Sequence, residues 1–268
     1  MKYTVWFLRF IFAAWMIPSG LNHFIPLFAQ PMGTQPLSME LIRALLDSNL
    51  FDLVKAVELI AGVMLLFGFY SPLALLICMP VSFNVFYWDA PLEGWGSGAA
   101  IFGYSVLLCN LLLCMAYVKS YRSMFTLQVK PVQSQQLVLG GRILFGAWMV
   151  FNSANFFFLS VWPAPSGQEP LAIQLMTSLV NSRLLDVAMA IELVTGALIL
   201  TGFLVPAALC VLMPVSTCAL YWAAILDNQS VNTLLALAAF ALNGLLMLAY
   251  LPYYHGSLQR RALSLGEA

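Results

Sequence analysis

The chain has 268 residues, of which 62% are hydrophobic and 8% charged, with a mean hydropathy of +0.90. That composition excludes an ordinary soluble domain and marks an integral membrane protein. Eleven basic and eleven acidic side chains cancel, so there is neither a basic surface for nucleic acid nor an acidic tail. Cys78, Cys109, Cys114, Cys210 and Cys218 all lie in apolar runs without CxxC spacing. They read as small buried hydrophobes rather than as a disulfide framework.

A bilayer core takes about twenty apolar residues per helix, and eight segments approach that length. In chain order they fall at 4–24, 50–70, 72–89, 97–118, 138–159, 184–204, 206–224 and 231–252. The run after Lys2 resembles a signal peptide only superficially, because it contains Arg9 and lacks a small-x-small cleavage site, so it is expected to stay as the first span. Pro72 and Pro206 stand at the first turn of a following helix, where a missing N–H is harmless. Spans two and three, and six and seven, are therefore expected to form tight hairpins.

Lys2, Lys119, Arg122, Lys130, Arg260 and Arg261 fall on one side of this arrangement. Arg43 and Arg183 fall on the other, with Glu40, Asp47, Asp89, Glu93, Glu169 and Asp227. The positive-inside rule then puts both termini in the cytoplasm and the acidic loops outside.

Sliding the chain on itself by 133 or 134 residues aligns polar and special residues. Arg9 meets Arg142, Asn22 meets Asn155, and Ser48, Asp52, Glu58, Gly62, Gly68 and Pro72 meet Ser182, Asp186, Glu192, Gly196, Gly202 and Pro206. Met79-Pro80-Val81-Ser82 meets Met213-Pro214-Val215-Ser216, and Asn110, Tyr117 and Tyr121 meet Asn243, Tyr250 and Tyr254. Apolar bias matches leucine with leucine, not glutamate with glutamate. The expected fold is thus all-α, with eight transmembrane helices as two parallel four-helix repeats related by an axis along the membrane normal. The repeats occupy 1–118 and 138–268, joined by a cytoplasmic linker at 119–137 that holds Pro131 and a Gln/Ser stretch.

Arg9 in the first span, Gly20-Leu21-Asn22-His23-Phe24 at its end, and Lys55-x-x-Glu58-x-x-x-Gly62 followed by Gly68 resemble the DoxX/DoxD-like membrane proteins. The likeness covers each four-helix half, so the chain looks like a tandem duplication. It implies a bacterial inner-membrane protein of a four-helix family, some of whose members are linked to thiosulfate:quinone oxidoreduction or to redox-stress and thiol-handling complexes while most have no assigned activity, and on that likeness an accessory subunit beside a protein partner. Arg9, His23, Lys55, Glu58 and Gly62 match the family pattern. The second half departs from it, with Phe156 in place of His23 and Met189 in place of Lys55.

Ionisable groups inside a span cost roughly 2.5–3.5 kcal/mol each on insertion scales, so each one needs a reason. Asp52, Lys55 and Glu58 are three residues apart and share one helical stripe, near His23 in the outer half of the membrane. One reading makes Glu58, His23 and Asp52 a proton relay, with Lys55, Arg9, Asn22 and Asp89 as binding groups and Arg142, Asn155, Asp186 and Glu192 as second-repeat counterparts. The other has Lys55 pairing with Asp52 or Glu58 to fix helix packing while His23 reaches the interface. Arg142 is the expected counter-charge for Glu192 and Arg9 for Glu58, unless Arg9 snorkels.

The four matched glycines read as close-packing residues, and the tryptophans and tyrosines at span ends as interfacial belts. Pro80 and Pro214 should kink their helices. His23 and His255 lie at opposite faces, so no heme is expected, and no ligand set suggests a metal. Quinone is the one candidate cofactor, the lipid bilayer the certain partner, and a homo-oligomer fits as well. A redox subunit ranks above a non-catalytic scaffold or assembly factor, with a small-solute carrier, suggested by the repeats and matched prolines, as the remaining alternative.

Overall fold

The computed structural model of the chain describes residues 2–129, 135–163 and 166–265. Lys130 and Pro131 of the expected linker lie outside the described residues. Among those described, the regular structure is helical, and the one ladder contact is an isolated antiparallel bridge between Gln128 and Phe203. The chain is an all-α, multi-pass membrane protein. Among the described residues, seven helices are long and apolar enough to cross a bilayer: Tyr3–Phe24, Ser71–Leu92, Gly98–Ala116, Gln136–Leu159, Leu184–Thr201, Val205–Asp227 and Ser230–Ala249. Ile60, Phe67, Ile101, Met115, Val194, Leu245 and Leu248 turn outward from their helices, as side chains do where the solvent is lipid.

The chain divides into two compact units, one of residues up to Arg122 together with those from His255 on, the other Ser123–Tyr254. The first contains α1 (Lys2–Phe24), α2 (Pro36–Asp47), α3 (Leu50–Phe67), α4 (Ser71–Tyr87), α5 (Gly98–Ala116) and the short α6 (Val118–Tyr121). The second contains α7 (Gln135–Ala154), α8 (Pro170–Asn181), α9 (Leu184–Thr201), α10 (Val205–Tyr221) and α11 (Ser230–Ala249). Helix α3 is as long as α9, but Asp52, Lys55 and Glu58 make it the more charged of the two.

Pro72 and Pro206 do open α4 and α10. The turns before them are held by residues in the left-handed region: Gly68 (φ 69°) and Tyr70 (φ 48°) in one unit, Gly202 (φ 84°) and Leu204 (φ 50°) in the other. Gly68 and Gly202 are thus C-caps, where a Cβ is costly, rather than simple packing residues. Each also receives an arginine: a Cβ on Gly68 would lie 3.0 Å from Arg9 Nη1, and one on Gly202 3.0 Å from Arg142 Nη1. Gly62 and Gly196 are close-packing residues, as is Gly20, whose Cβ would stand 2.8 Å from the Lys55 carbonyl oxygen.

Two twelve-residue helices, α2 and α8, replace what the sequence suggested were loops. Each begins at a proline in its first turn and buries a short apolar stripe, Leu41, Ile42 and Ala44 in α2 and Ala172, Leu175 and Met176 in α8. Trp88 and Trp222 are therefore not belt residues. Their indole N–H groups donate to the carbonyls of Ser38 (3.0 Å) and Ala172 (3.1 Å). Tyr117 and Tyr250 are likewise enclosed, and Tyr121 and Tyr254 donate to the carbonyls of Pro72 (2.9 Å) and Pro206 (2.8 Å). Pro80 and Pro214 are accommodated inside α4 and α10, which continue past them into π-helical turns at Trp88–Leu92 and Trp222–Asp227.

Candidate functional site

Helices α1 and α3 pack closely because Gly20 and Gly62 leave no side chain between them, and that seam carries the charged stripe of the first unit. At its end, His23 Nε2 donates to Asp52 Oδ1 at 2.5 Å. The Asp52 side chain is half exposed and the histidine mostly covered. One and two turns deeper along α3, Lys55 Nζ donates to Glu58 Oε2 at 2.8 Å and to Ser19 Oγ at 2.9 Å, while Ser19 Oγ itself donates to Glu58 Oε2 at 2.8 Å. Asp52 and Glu58 are six residues apart on α3, about 9 Å along its axis.

Phe51 stands beside both groups, with its ring 5.3 Å from the His23 ring and 4.8 Å from Lys55 Nζ. Glu58 is fully buried, yet its Oε1 has no hydrogen-bond partner among the described residues. A buried carboxylate oxygen left without a donor is costly. Cys78 and Met16, also fully buried, bring their sulfur atoms to 3.5 Å of each other.

The structure therefore unites His23, Asp52, Lys55 and Glu58 on one seam, but not Arg9. Lys55, not Arg9, is the cation on Glu58. Arg9 lies along Gly68 at the other end of α3 and reaches Tyr117 Oη at 3.3 Å, where a cation faces the carbonyls of a helix C-terminus. Asn22 braces the loop that follows α1: its Oδ1 accepts from the amides of Leu27 (2.8 Å) and Phe28 (2.7 Å). Asn155 does the same for Val161 and Trp162. Asp89 is enclosed against Gly103, and its Oδ2 lacks a partner among the described residues.

In the second unit Arg142 does not serve Glu192. It lies against Gly202, and its Nε is buried without a hydrogen bond among the described residues. Asn152 donates to Glu192 Oε2 at 2.8 Å instead, and Asp186 pairs with Arg183 at 3.2 Å near the surface.

Sequence reasoning missed Ser19 and Asn152. Ser19 was within reach, since it lies four residues before His23 and so on the same face of α1. Glu93, which the sequence places only among the outer acidic loops, closes the start of α2. Its carboxylate accepts from the Thr34 amide (2.8 Å), the Thr34 hydroxyl (2.5 Å) and the Ser38 hydroxyl. Burial pushes this carboxyl up, but the Ser38 and Thr34 hydroxyls with the Thr34 and Gln35 amides outweigh it and hold it below its ordinary value. Asp227 plays the matching part in the second unit, accepting from the Gln168 amide at 2.6 Å.

Among the described residues, no group of three or more His, Cys, Asp or Glu side chains is placed to hold a metal ion. No family model, curated protein or solved structure matches the chain.

Proposed function

We propose that the chain is an eight-span membrane protein of two parallel four-helix repeats, DoxX/DoxD-like in each half, and the membrane subunit of a quinone- or thiol/sulfur-linked redox system that works with a partner protein. The observation that carries this reading is the polar seam from the half-exposed Asp52 through His23 to Lys55, Ser19 and the buried Glu58 with its open Oε1. In the eight-span reading α3 is the span that TM-type apolarity alone passes over, because function has put three ionisable residues in it. Both termini are cytoplasmic in a bacterial inner membrane, by the distribution of Lys and Arg.

Reduction of a quinone to a quinol takes up two electrons and two protons. The electrons come from the partner. Protons enter from outside the membrane at the half-exposed Asp52 and pass to the mostly covered His23 bonded to it, and Glu58 offers its free oxygen as the buried station next to a lipid-soluble acceptor. Lys55 holds that station in place through its contact with Oε2.

A scaffold is favoured by a different observation. The Lys55–Ser19–Glu58 knot and the Asn152–Glu192 bond each tie the first helix of a unit to its charged neighbour, which is what a helix clamp requires.

The test is the quinone content and visible spectrum of protein purified in mild detergent, for wild type, Glu58→Gln and Glu192→Gln. Quinone lost only with Glu58→Gln is expected. Absence of quinone from all three would hand the case to the scaffold.

A further inference from the structure

The extension that follows α6 belongs to the second unit, and the extension that follows α11 belongs to the first. In the first unit the Tyr70 amide donates to the Arg260 carbonyl at 2.9 Å, and in the second the Leu204 amide donates to the Leu127 carbonyl at 3.2 Å. Tyr70 and Leu204 share one position in the repeat register, as do Arg260 and Leu127, so these are the same bond made twice, each time with the extension of the other half. Two more pairs follow the rule. Arg261 covers the Phe69 ring at 5.7 Å, and its counterpart Gln128 bridges Phe203, the counterpart of Phe69. Gly256 presses on the Ser120 backbone, and its counterpart Ser123 donates to the carbonyl of Tyr253, the counterpart of Ser120, at 2.7 Å.

The amides of Tyr70 and Leu204 precede α4 and α10 and have no acceptor within those helices. Left-handed backbone at both residues turns their amides toward the strap that passes, which supplies the acceptor that the following helix cannot. Leu265, further along the second extension, donates to the carbonyl of Ala116 at the end of α5 (2.8 Å), satisfying another helix terminus.

We infer that the chain is a fused, reciprocally exchanged pair: each four-helix half closes its central hairpin with the extension of the other half and is incomplete without it. The notch at Phe69–Tyr70 or Phe203–Leu204 is thus a recognition surface for one kind of partner, the extension of a second half of the same kind. A lone half would complete itself only by taking the extension of a second copy.

This rests on the two-repeat reading, and hydrogen exchange of the full chain in lipid nanodiscs tests it with two variants. Ending the chain after Tyr254 should lower protection around Tyr70 by about tenfold or more and spare Leu204; Leu127→Gly with Gln128→Gly should do the reverse. Should the shortened chain fail to accumulate, Arg260→Gly with Arg261→Gly in the intact chain gives the same readout. Loss of protection in the uncrossed sense, or in neither hairpin, overturns the exchange. A span count other than eight overturns the repeat reading alone, because the crossed pattern is read from the two amides without it.

Discussion

Lys55 Nζ and Glu58 Oε2 meet at 2.8 Å one turn apart on the same helix, and both side chains are almost wholly enclosed. In the second unit Met189 stands where the lysine would be, and Asn152 donates to Glu192 in its place. Removing one partner of a buried ion pair strands the other, so Glu58→Gln and Lys55→Met should each cost about 3–5 kcal/mol. Ser19→Asn combined with Lys55→Met rebuilds the arrangement of the second unit and should recover most of the loss. Thermal unfolding in detergent measures all three. A double variant as unstable as Lys55→Met would mean that the asparagine tie is not equivalent to the lysine one.

Glycines at the helix seams divide into two groups by what surrounds them. A Cβ on Gly20 or Gly146 would fall 2.8 Å from the Lys55 oxygen or 2.6 Å from the Leu200 nitrogen, both backbone atoms that cannot step aside, whereas a Cβ on Gly244 meets nothing within 4 Å. Gly20→Ala and Gly146→Ala should each destabilise by about 1–3 kcal/mol, and Gly244→Ala should be neutral or stabilising by up to about 1 kcal/mol. Equal melting temperatures for all three would contradict the close approach of α1 to α3 and of α7 to α9.

Glu93 makes the start of α2 sensitive to acid. Its carboxyl is held below the ordinary value when folded, so its support of α2 is complete above the range in which the unfolded carboxyl titrates and disappears as the pH falls through the lowered one. The indole N–H resonance of Trp88, which donates to Ser38, should therefore shift on acidification. Glu93→Gln should remove that acid step, and an unchanged step in the variant would assign it to another group.

Eight spans and seven differ in where the ends of α2 and α8 lie. With the five native cysteines replaced by serine, single cysteines at Asp47 and Gln168 should react with a membrane-impermeant thiol reagent applied from outside, while those at Arg122 and His255 should react only after the membrane is opened. Labelling of Asp47 and Gln168 from opposite sides would leave α3 out of the membrane.

The membrane class and most helix positions were legible because apolar runs and prolines act locally. Helices α2 and α8 were not, since twelve residues with a half-apolar face look like loop until Trp88 and Trp222 anchor them. Within the seam, the spacing of Asp52, Lys55 and Glu58 announced a shared stripe, but not which acid the lysine would choose. Choosing took Ser19, a residue on another helix. The arginines misled for a related reason: sequence register pairs Arg9 and Arg142 with the glutamates by charge, whereas Gly68 and Gly202 give them room at the helix ends.

The charge on α3 also bears on how the chain is made. In the eight-span reading, Glu58 in the middle of α3 costs roughly 2.5–3.5 kcal/mol and Lys55 adds to it, while Asp52 stays in the first turn, and together they offset part of what the leucines contribute to leaving the translocon. The hydroxyl of Ser19 and the imidazole of His23 are both presented by α1, which is synthesised first. Helix α3 should therefore enter the bilayer against α1 rather than alone, with the knot at Glu58 already tied, while α9 carries fewer charges and can partition unaided. Biogenesis of the first half is then a paired event and that of the second a sequential one.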